Sequence, residues 1–153
     1  TMVHALQESE KVFDTEFDIL LIIEPTSPFR IASDIESVCR ELVENNVDSV
    51  VCVSPLDTKY HPLKALQINS GSVSHYIKLG EDITARQQLN KLYIRNGVCY
   101  AVSRSYLLEF KSLFSNNTRS YVINREIVNI DEPSDMEWAE YLIKKKLDKL
   151  EEF

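Results

Sequence analysis

The chain has 153 residues, 44% hydrophobic and 27% charged, which is material for one globular domain of ordinary composition. Its net charge of −7 argues against non-specific binding to nucleic acid or to anionic membranes, while a local Arg/Lys cluster can still grip a small anion. The three cysteines, Cys39, Cys52 and Cys99, are widely spaced without a CxxC pair, which suggests neither zinc nor a disulfide framework and fits a reduced, cytoplasmic setting.

In chain order, residues 1–11 read as a helix with a partial apolar face from Val3 and Leu6. That helix begins almost at the first residue without a cap box, as a fragment would. Asp18–Ile23 is a continuous apolar run read as a strand buried on both faces, and its core is far too short to span a bilayer. Pro25 and Pro28 stop it. Ser33 or Asp34 can cap a helix over 35–45, with Ile35, Val38, Cys39 and Leu42 on one face. Residues 48–54 form a second buried strand, so strand, helix and strand make a βαβ unit with a parallel pair.

Beyond Pro55, residues 64–69 and 72–78 read as an inserted antiparallel hairpin turning at Asn69-Ser70-Gly71. Residues 85–92 read as a short helix, 97–102 as a buried strand, and 103–114 as a helix capped by Ser103. Weak strands follow at 119–123 and 127–130. A last helix, 134–150, carries an apolar stripe of Met136, Ala139, Leu142, Ile143 and Leu147. Lys144, Lys145, Lys146 and Lys149 suit its C-terminal dipole.

Several polar positions stand out, each with a plain structural alternative. Pro25-Thr26-Ser27-Pro28 follows a strand end, where open α/β sheets bind ligands, yet it also reads as a rigid turn. Lys64 and Arg86 can hold a carboxylate, Arg in bidentate fashion, or can be solvated surface charges. Asn96 offers a donor and an acceptor to a polyhydroxylated ligand, while Asn96-Gly97 is equally a turn signal. Tyr100 is either a ligand contact or a half-buried core residue. Asp131, after an apolar segment and before a helix, suits either Mg²⁺ or a helix cap. With only Gly71, Gly80 and Gly97 as glycines, no glycine-rich phosphate loop lies within these residues, and no histidine spacing suggests a nucleophilic triad.

Three blocks, taken together, carry a family resemblance. They are Ile22-Ile23-Glu24-Pro25-Thr26-Ser27-Pro28-Phe29-Arg30; His61-Pro62-Leu63-Lys64 with Arg86-Gln87-Gln88-Leu89 and Tyr93-Ile94-Arg95-Asn96-Gly97; and Val128-Asn129-Ile130-Asp131-Glu132-Pro133. In this order and spacing they resemble the acylneuraminate cytidylyltransferases, the CMP-sialic acid synthetases, from Val3 to about Leu142. The resemblance implies a mainly parallel three-layer α/β nucleotidyltransferase sheet, as one domain over 1–153, with residues 56–95 as a dimerisation and sugar-binding insertion. It implies transfer of CMP from CTP to a nine-carbon acidic sugar, with Mg²⁺, in a homodimer, and no part for nucleic acid or membrane.

By the same resemblance Glu24, Thr26, Lys64, Arg86, Gln87, Asn96 and Tyr100 contact substrate, and Asp131 with Asn129 holds the metal. No catalytic side chain is certain in this chain, because alignment and charge neutralisation carry the reaction. Lys64 and Arg86 reach the partner protomer's sugar.

Three departures matter. Glu24 stands where the family has Gln, which points to a sugar offering a donor group, a modified nonulosonate. Asn90 replaces a proline, and Asn129 replaces the first Asp of Asp-Ile-Asp, which lowers the expected metal affinity. The family's basic CTP-binding segment has no counterpart here, so the chain alone is expected to be inactive, with an exposed sheet edge or apolar surface. The competing expectation is a non-catalytic dimerisation or sugar-binding module. A synthetase for a ketodeoxyoctonate is a third. Capsule, lipopolysaccharide and flagellin glycosylation are all open as destinations.

Overall fold

A computed structural model describes residues 1–151, with side chains through Lys146. The chain divides into two compact units, Thr1–Val53 with Arg95–Phe153, and Ser54–Ile94. Among the described residues no helix is long and apolar enough to cross a membrane.

The first unit is α/β. Its elements are α1 (Met2–Phe13), β1 (Ile19–Ile22), α2 (Ala32–Glu44), β2 (Ser49–Pro55), β5 (Tyr93–Ser103), α3 (Arg104–Phe110), β6 (Thr118–Val122) and α4 (Pro133–Glu151). The sheet order is β1-β5-β2-β6. β2 and β6 are parallel, as Val51↔Ser120 shows, and β1 and β5 are antiparallel, with Ile22↔Tyr100 and Ile19↔Ser103. The Ser103 N–H donates to the Asp48 carbonyl, while Cys99 sits beside Cys52, so numbering runs in opposite directions on β5 and β2. β1 and β2 therefore run parallel, as the βαβ reading requires, but antiparallel β5 lies between them. The sheet is mixed: β1, β2 and β6 share one direction and β5 runs against them.

Apolar residues on both faces of these strands separate two cores. Leu20 and its partner Val102 pack with Leu6 of α1 and Leu107 of α3. Leu21 and its partner Ala101 face the other way, into a cluster with Val38 and Leu42 of α2 and Val50, Cys52 and Cys99. This is the period-two alternation of a strand covered on both sides. β1 is nevertheless only half-buried throughout, because it ends the row of strands.

Cys52 and Cys99 are free thiols with Sγ atoms 3.6 Å apart. The bond to Cys52 and burial push the Cys99 thiol far up, so it stays protonated. The Arg104 guanidinium bonds the Glu10 carboxylate at 2.6 and 3.3 Å, tying α3 to α1.

Other differences from the sequence reading have local causes. α2 starts at Ala32 with Ile31 as its cap residue, and Asp34 acts from inside the first turn by accepting the Ile31 N–H at 3.0 Å. α3 stops at Phe110 because Lys111 takes a left-handed conformation, φ 53°, and Ser103 precedes it without a side-chain cap bond. Residues 127–130 form no strand. Instead Val128 and Ile130 pack with Ala139, Leu142 and Phe29 in a third apolar cluster, which seats α4. Met136 and Ile143, placed on the apolar stripe, are about half exposed. The side chains of Leu147 and Lys149 lie outside the described residues.

The second unit holds an antiparallel hairpin, β3 (Leu66–Asn69) and β4 (Ser72–His75), with Asn69↔Ser72 closing the turn. Ser70 and Gly71 both have positive φ, 49° and 84°, the two-residue turn that matches strand twist. The strands are shorter than the 64–69 and 72–78 read from sequence, since residues 62–64 and 78–82 wind into 3-10 turns. The helix expected over 85–92 is a single 3-10 turn, Arg86–Gln88, in which the Gln88 Oε1 accepts the Thr84 and Ala85 N–H groups at 2.8 Å.

Asp34, fully buried, takes two hydrogen bonds from Arg125, one of 2.9 Å from Nη1 to Oδ1 and one from Nη2 to Oδ2. Burial raises its pKa, but the Arg125 and Ile31 hydrogen bonds and the nearby guanidinium charges outweigh that, and the net shift is downward. A carboxyl depressed in the folded state contributes stability above its unfolded value, near 4, and loses it as pH falls through the folded value. Asp34→Ala is expected to cost about 2–4 kcal/mol at neutral pH, somewhat below a wholly buried pair because Arg125 is partly solvated. Urea titrations at pH 7 and below 4 check this: the gap between parent and variant should shrink in acid, and a constant gap refutes the account.

Candidate functional site

Three segments far apart in sequence meet in the first unit at Gly97. The loop after β1 arrives from one side and residues 129–131 from another. Gly97 has φ +70°, and a Cβ there would stand 2.6 Å from Glu24 Oε2 and 2.8 Å from Asn129 Oδ1. Both the backbone conformation and the lack of room demand glycine. Asn96-Gly97 is thus no turn between elements; it lies inside the 11-residue β5, at a close approach.

Hydrogen bonds fix the rest. The Thr26 hydroxyl donates to Asn129 Oδ1 at 2.8 Å, and the Ile130 N–H donates to the Thr26 carbonyl at 2.8 Å. The Asn129 Nδ2 donates to Asp131 Oδ2 at 2.8 Å. The Gly97 N–H donates to the Tyr100 hydroxyl oxygen at 3.0 Å. Asn96, buried, accepts the Val98 N–H through Oδ1 at 3.2 Å. Burial first, then the Glu24 charge, pushes the Tyr100 phenol up, against the Gly97 N–H and Arg95.

Asp131 is exposed and its carboxylate caps nothing. The Asp131 and Glu132 N–H groups are instead taken by Asp135 Oδ2 at 3.0 and 2.9 Å. That leaves Asp131 to other work, and Asp135 does the capping that the sequence reading weighed for Asp131.

One residue that sequence reasoning missed is Arg30. Its guanidinium donates to the backbone carbonyls of Glu24, Val98 and Gly97, clamping the loop to β5. An arginine after Pro-Phe carries no sequence signal for that role. Two cavities, of about 540 and 510 Å³, lie at the end of α1 and near the Asp18 and Asp48 ends of β1 and β2, and contain none of this cluster.

The remaining candidates lie in the second unit. Lys64 ends the Pro62–Lys64 turn, exposed, and lines a cavity of about 250 Å³ with Lys59, Tyr60, His61 and Ala65. His61 is buried and accepts the Leu63 N–H through Nδ1 at 3.2 Å. Arg86 and Gln87 are exposed on their own 3-10 turn, and Arg86 lies close enough to Asp57 to help depress that carboxyl, after the larger effect of the Lys59 N–H.

No protein-family model matches the chain. Curated proteins do, two of them as follows. Post-translational flagellin modification protein B of Campylobacter coli is 28% identical over 146 residues, covering 95% of this chain and 61% of that protein. CMP-N,N'-diacetyllegionaminic acid synthase of Legionella pneumophila is 30% identical over 126 residues, 82% of this chain and 53% of that protein. The chain therefore spans little more than half the length of these relatives. A solved CMP-2-keto-3-deoxy-manno-octonic acid synthetase, determined with CTP, superposes with a TM-score of 0.62 at 13% identity, over 95% of this chain and 69% of that one. The α/β architecture is thus a nucleotidyltransferase fold. Over the part they share, the chain is similar in sequence to the flagellin modification protein and to the CMP-N,N'-diacetyllegionaminic acid synthase.

Gly97→Ala should destabilise the first unit by more than the roughly 1 kcal/mol of a strained backbone alone. Gly71→Ala is the control, since φ there is +84° but no atom lies within 4 Å of the added methyl. Equal losses in thermal unfolding would show that Glu24 and Asn129 do not crowd residue 97.

Proposed function

We propose that this chain is the sugar-acid-binding portion of a cytidylyltransferase that joins CMP to a nine-carbon acidic sugar. The observation that carries the reading is the meeting of Glu24, Thr26, Tyr100, Asn129 and Asp131 around Gly97. The same loop, strand and pre-helix segment bear the motifs, and the relative from Legionella is named for CMP transfer to such a sugar.

In the reaction the sugar's anomeric oxygen attacks the α-phosphorus of CTP. The bond to the β-phosphate oxygen breaks, pyrophosphate leaves, and the hydroxyl proton passes to solvent. Glu24 and Asn96 orient the sugar through hydrogen bonds, with Thr26 holding Asn129 in place. Lys64 and Arg86 of one protomer, with Gln87 beside them, take the carboxylate of the sugar held by its partner, a point charge and a bidentate fork that suit that group.

Asp131 offers an exposed carboxylate of the kind Mg²⁺ takes, and Asn129 would join it only by turning its amide oxygen from Thr26 toward the ion, the rest of whose shell would be water and phosphate oxygens. When bound, Mg²⁺ supplies charge neutralisation at the phosphates. Among the described residues no cluster of three or more acidic, His or Cys side chains offers a fuller cage, so the protein's share is small. With three glycines and no phosphate loop in the sequence, the triphosphate needs contacts beyond these residues, and the chain by itself is inactive in this proposal.

A homodimer is part of the proposal. On one face of the hairpin Leu66, Ile68 and Val73 are all exposed, with Ile68 directly opposite Val73. An apolar ribbon face of that kind favours association. The competing reading, a sugar-binding or dimerisation module without catalysis, is favoured by the same lack of a phosphate loop.

Pyrophosphate release with CTP, Mg²⁺ and a panel of nonulosonic acids is the deciding assay, run on this chain and on the longest natural protein that contains it. Turnover by the longer protein supports the reading; sugar binding with no turnover by either favours the module. In the active form Lys64→Ala and Arg86→Ala should each raise the sugar KM about tenfold or more, with CTP little affected. Ile68→Asp with Val73→Asp should yield monomers by light scattering; unchanged dimers would remove the hairpin from the interface.

A further inference from the structure

We propose that His61 and Gly80 are positioning residues for Lys64, fixing the two backbone polar groups of Leu63 so that the lysine stem leaves its turn in one direction. The proposal rests on the sugar-acid reading above, in which Lys64 takes the sugar carboxylate.

Lys64 ends the Pro62–Lys64 turn with its ammonium available. Among the described residues no carboxylate pairs with it. Its neighbour at the same cavity is committed elsewhere. The Lys59 ammonium lies 3.4 Å from Asp57 Oδ2 and over the Tyr60 ring, 4.7 Å from its centre. A lysine carries its charge on a flexible four-carbon stem, so the backbone beneath must set the direction.

That backbone is gripped from two sides. The Leu63 N–H donates to His61 Nδ1 at 3.2 Å, with His61 as the cap residue and Pro62 opening the turn. The Leu63 carbonyl, in the peptide that leads into Lys64, lies against buried Gly80. A Cβ at Gly80 would overlap that oxygen and stand 2.7 Å from His75 Nδ1. Gly80 has no positive φ, so lack of room alone demands glycine.

The His61 ring is held for this bond at some cost. A nitrogen that accepts carries no hydrogen, so the ring hydrogen sits on Nε2. Nε2 is buried and finds no partner. An unpaired buried donor lowers stability, which leaves the Nδ1 bond as the duty the ring performs.

The test uses the longest natural protein that contains this chain and whichever nonulosonic acid of the panel above it turns over. His61→Ala should raise the sugar KM about fivefold, with kcat and the CTP KM little changed. His61→Asn should bring the sugar KM back to within about twofold of the parent, since Asn Oδ1 can replace Nδ1 as the cap acceptor. Gly80→Ala should raise it about tenfold, as Lys64→Ala does, because the carbonyl ahead of Lys64 must move. His61→Ala combined with Lys64→Ala should lose no more than Lys64→Ala alone. A second readout needs no sugar. Exchange of the Leu63 amide hydrogen, followed by NMR, should quicken in His61→Ala and not in His61→Asn.

Equal losses in His61→Ala and His61→Asn, losses that multiply in the double variant, or a lower kcat at unchanged KM would each overturn the positioning and leave the sugar-acid reading standing. So would a parent-like sugar KM in Gly80→Ala, or unmoved Leu63 exchange in His61→Ala. Should Gly80→Ala fail to fold, the His61 variants decide. A sugar KM untouched by Lys64→Ala, or no turnover of any sugar acid by the parent, would overturn the reading and the positioning together.

Discussion

The site depends on one steric fact, that Gly97 has no side chain. Two oxygens from opposite ends of the first unit's sequence occupy the space a Cβ would need. Tyr100, three residues further along the same strand, returns its hydroxyl to accept the Gly97 N–H. Arg30 closes the arrangement from beneath by collecting the carbonyls of Glu24, Gly97 and Val98. A backbone carbonyl turned inward needs a donor, and one guanidinium with its fixed fork serves three.

Each segment is also held away from the site by a different force. The loop after β1 is anchored at its far end by Asp34, whose carboxylate joins the Ile31 N–H to Arg125, while Arg125 also donates to the Phe29 carbonyl at 3.3 Å. The segment carrying Asn129 and Asp131 is anchored by hydrophobic contact, with Val128 and Ile130 packed under Ala139 and Leu142 of α4. β5 is anchored by the sheet itself, between β1 and β2. Polar side chains are thus presented by a backbone that rotates little, which suits a site that works by alignment.

The sequence made legible whatever is local. Apolar runs located β1, β2 and β5, the 3.6 period located α2, and Ser70-Gly71 located the hairpin turn. The placement of β5 between β1 and β2 was not legible, since strand order is a non-local choice that no window of residues encodes. Nor was the fate of residues 127–130, where apolar residues that read as a strand pack against α4 instead of joining the sheet. In the site, motif order pointed to Glu24, Thr26, Asn129 and Asp131 as residues of one kind of chemistry. What it could not convey was that Asn96-Gly97 lies within a strand and that the Tyr100 hydroxyl turns back to accept the Gly97 N–H. The strand depends on pairing with β1 and β2, which no local window of residues contains.

The amide at position 129 shows how one atom changes the character of such a cluster. Asn129 passes a hydrogen bond along, accepting from Thr26 through oxygen and donating to Asp131 through nitrogen. A carboxylate in its place could accept from Thr26 but could give Asp131 nothing, and two like charges would face each other across the position of a 2.8 Å hydrogen bond. Such a pair holds its geometry only with a cation between its members. With the amide, the chain from Thr26 to Asp131 is satisfied by protein atoms alone, and Asp131 carries the negative charge by itself. Glu24, whose Oε2 approaches the same point at Gly97 as the Asn129 amide oxygen, supplies the second carboxylate. The cluster thus separates its two charges, one at the loop after β1 and one ahead of α4, with a neutral amide between them.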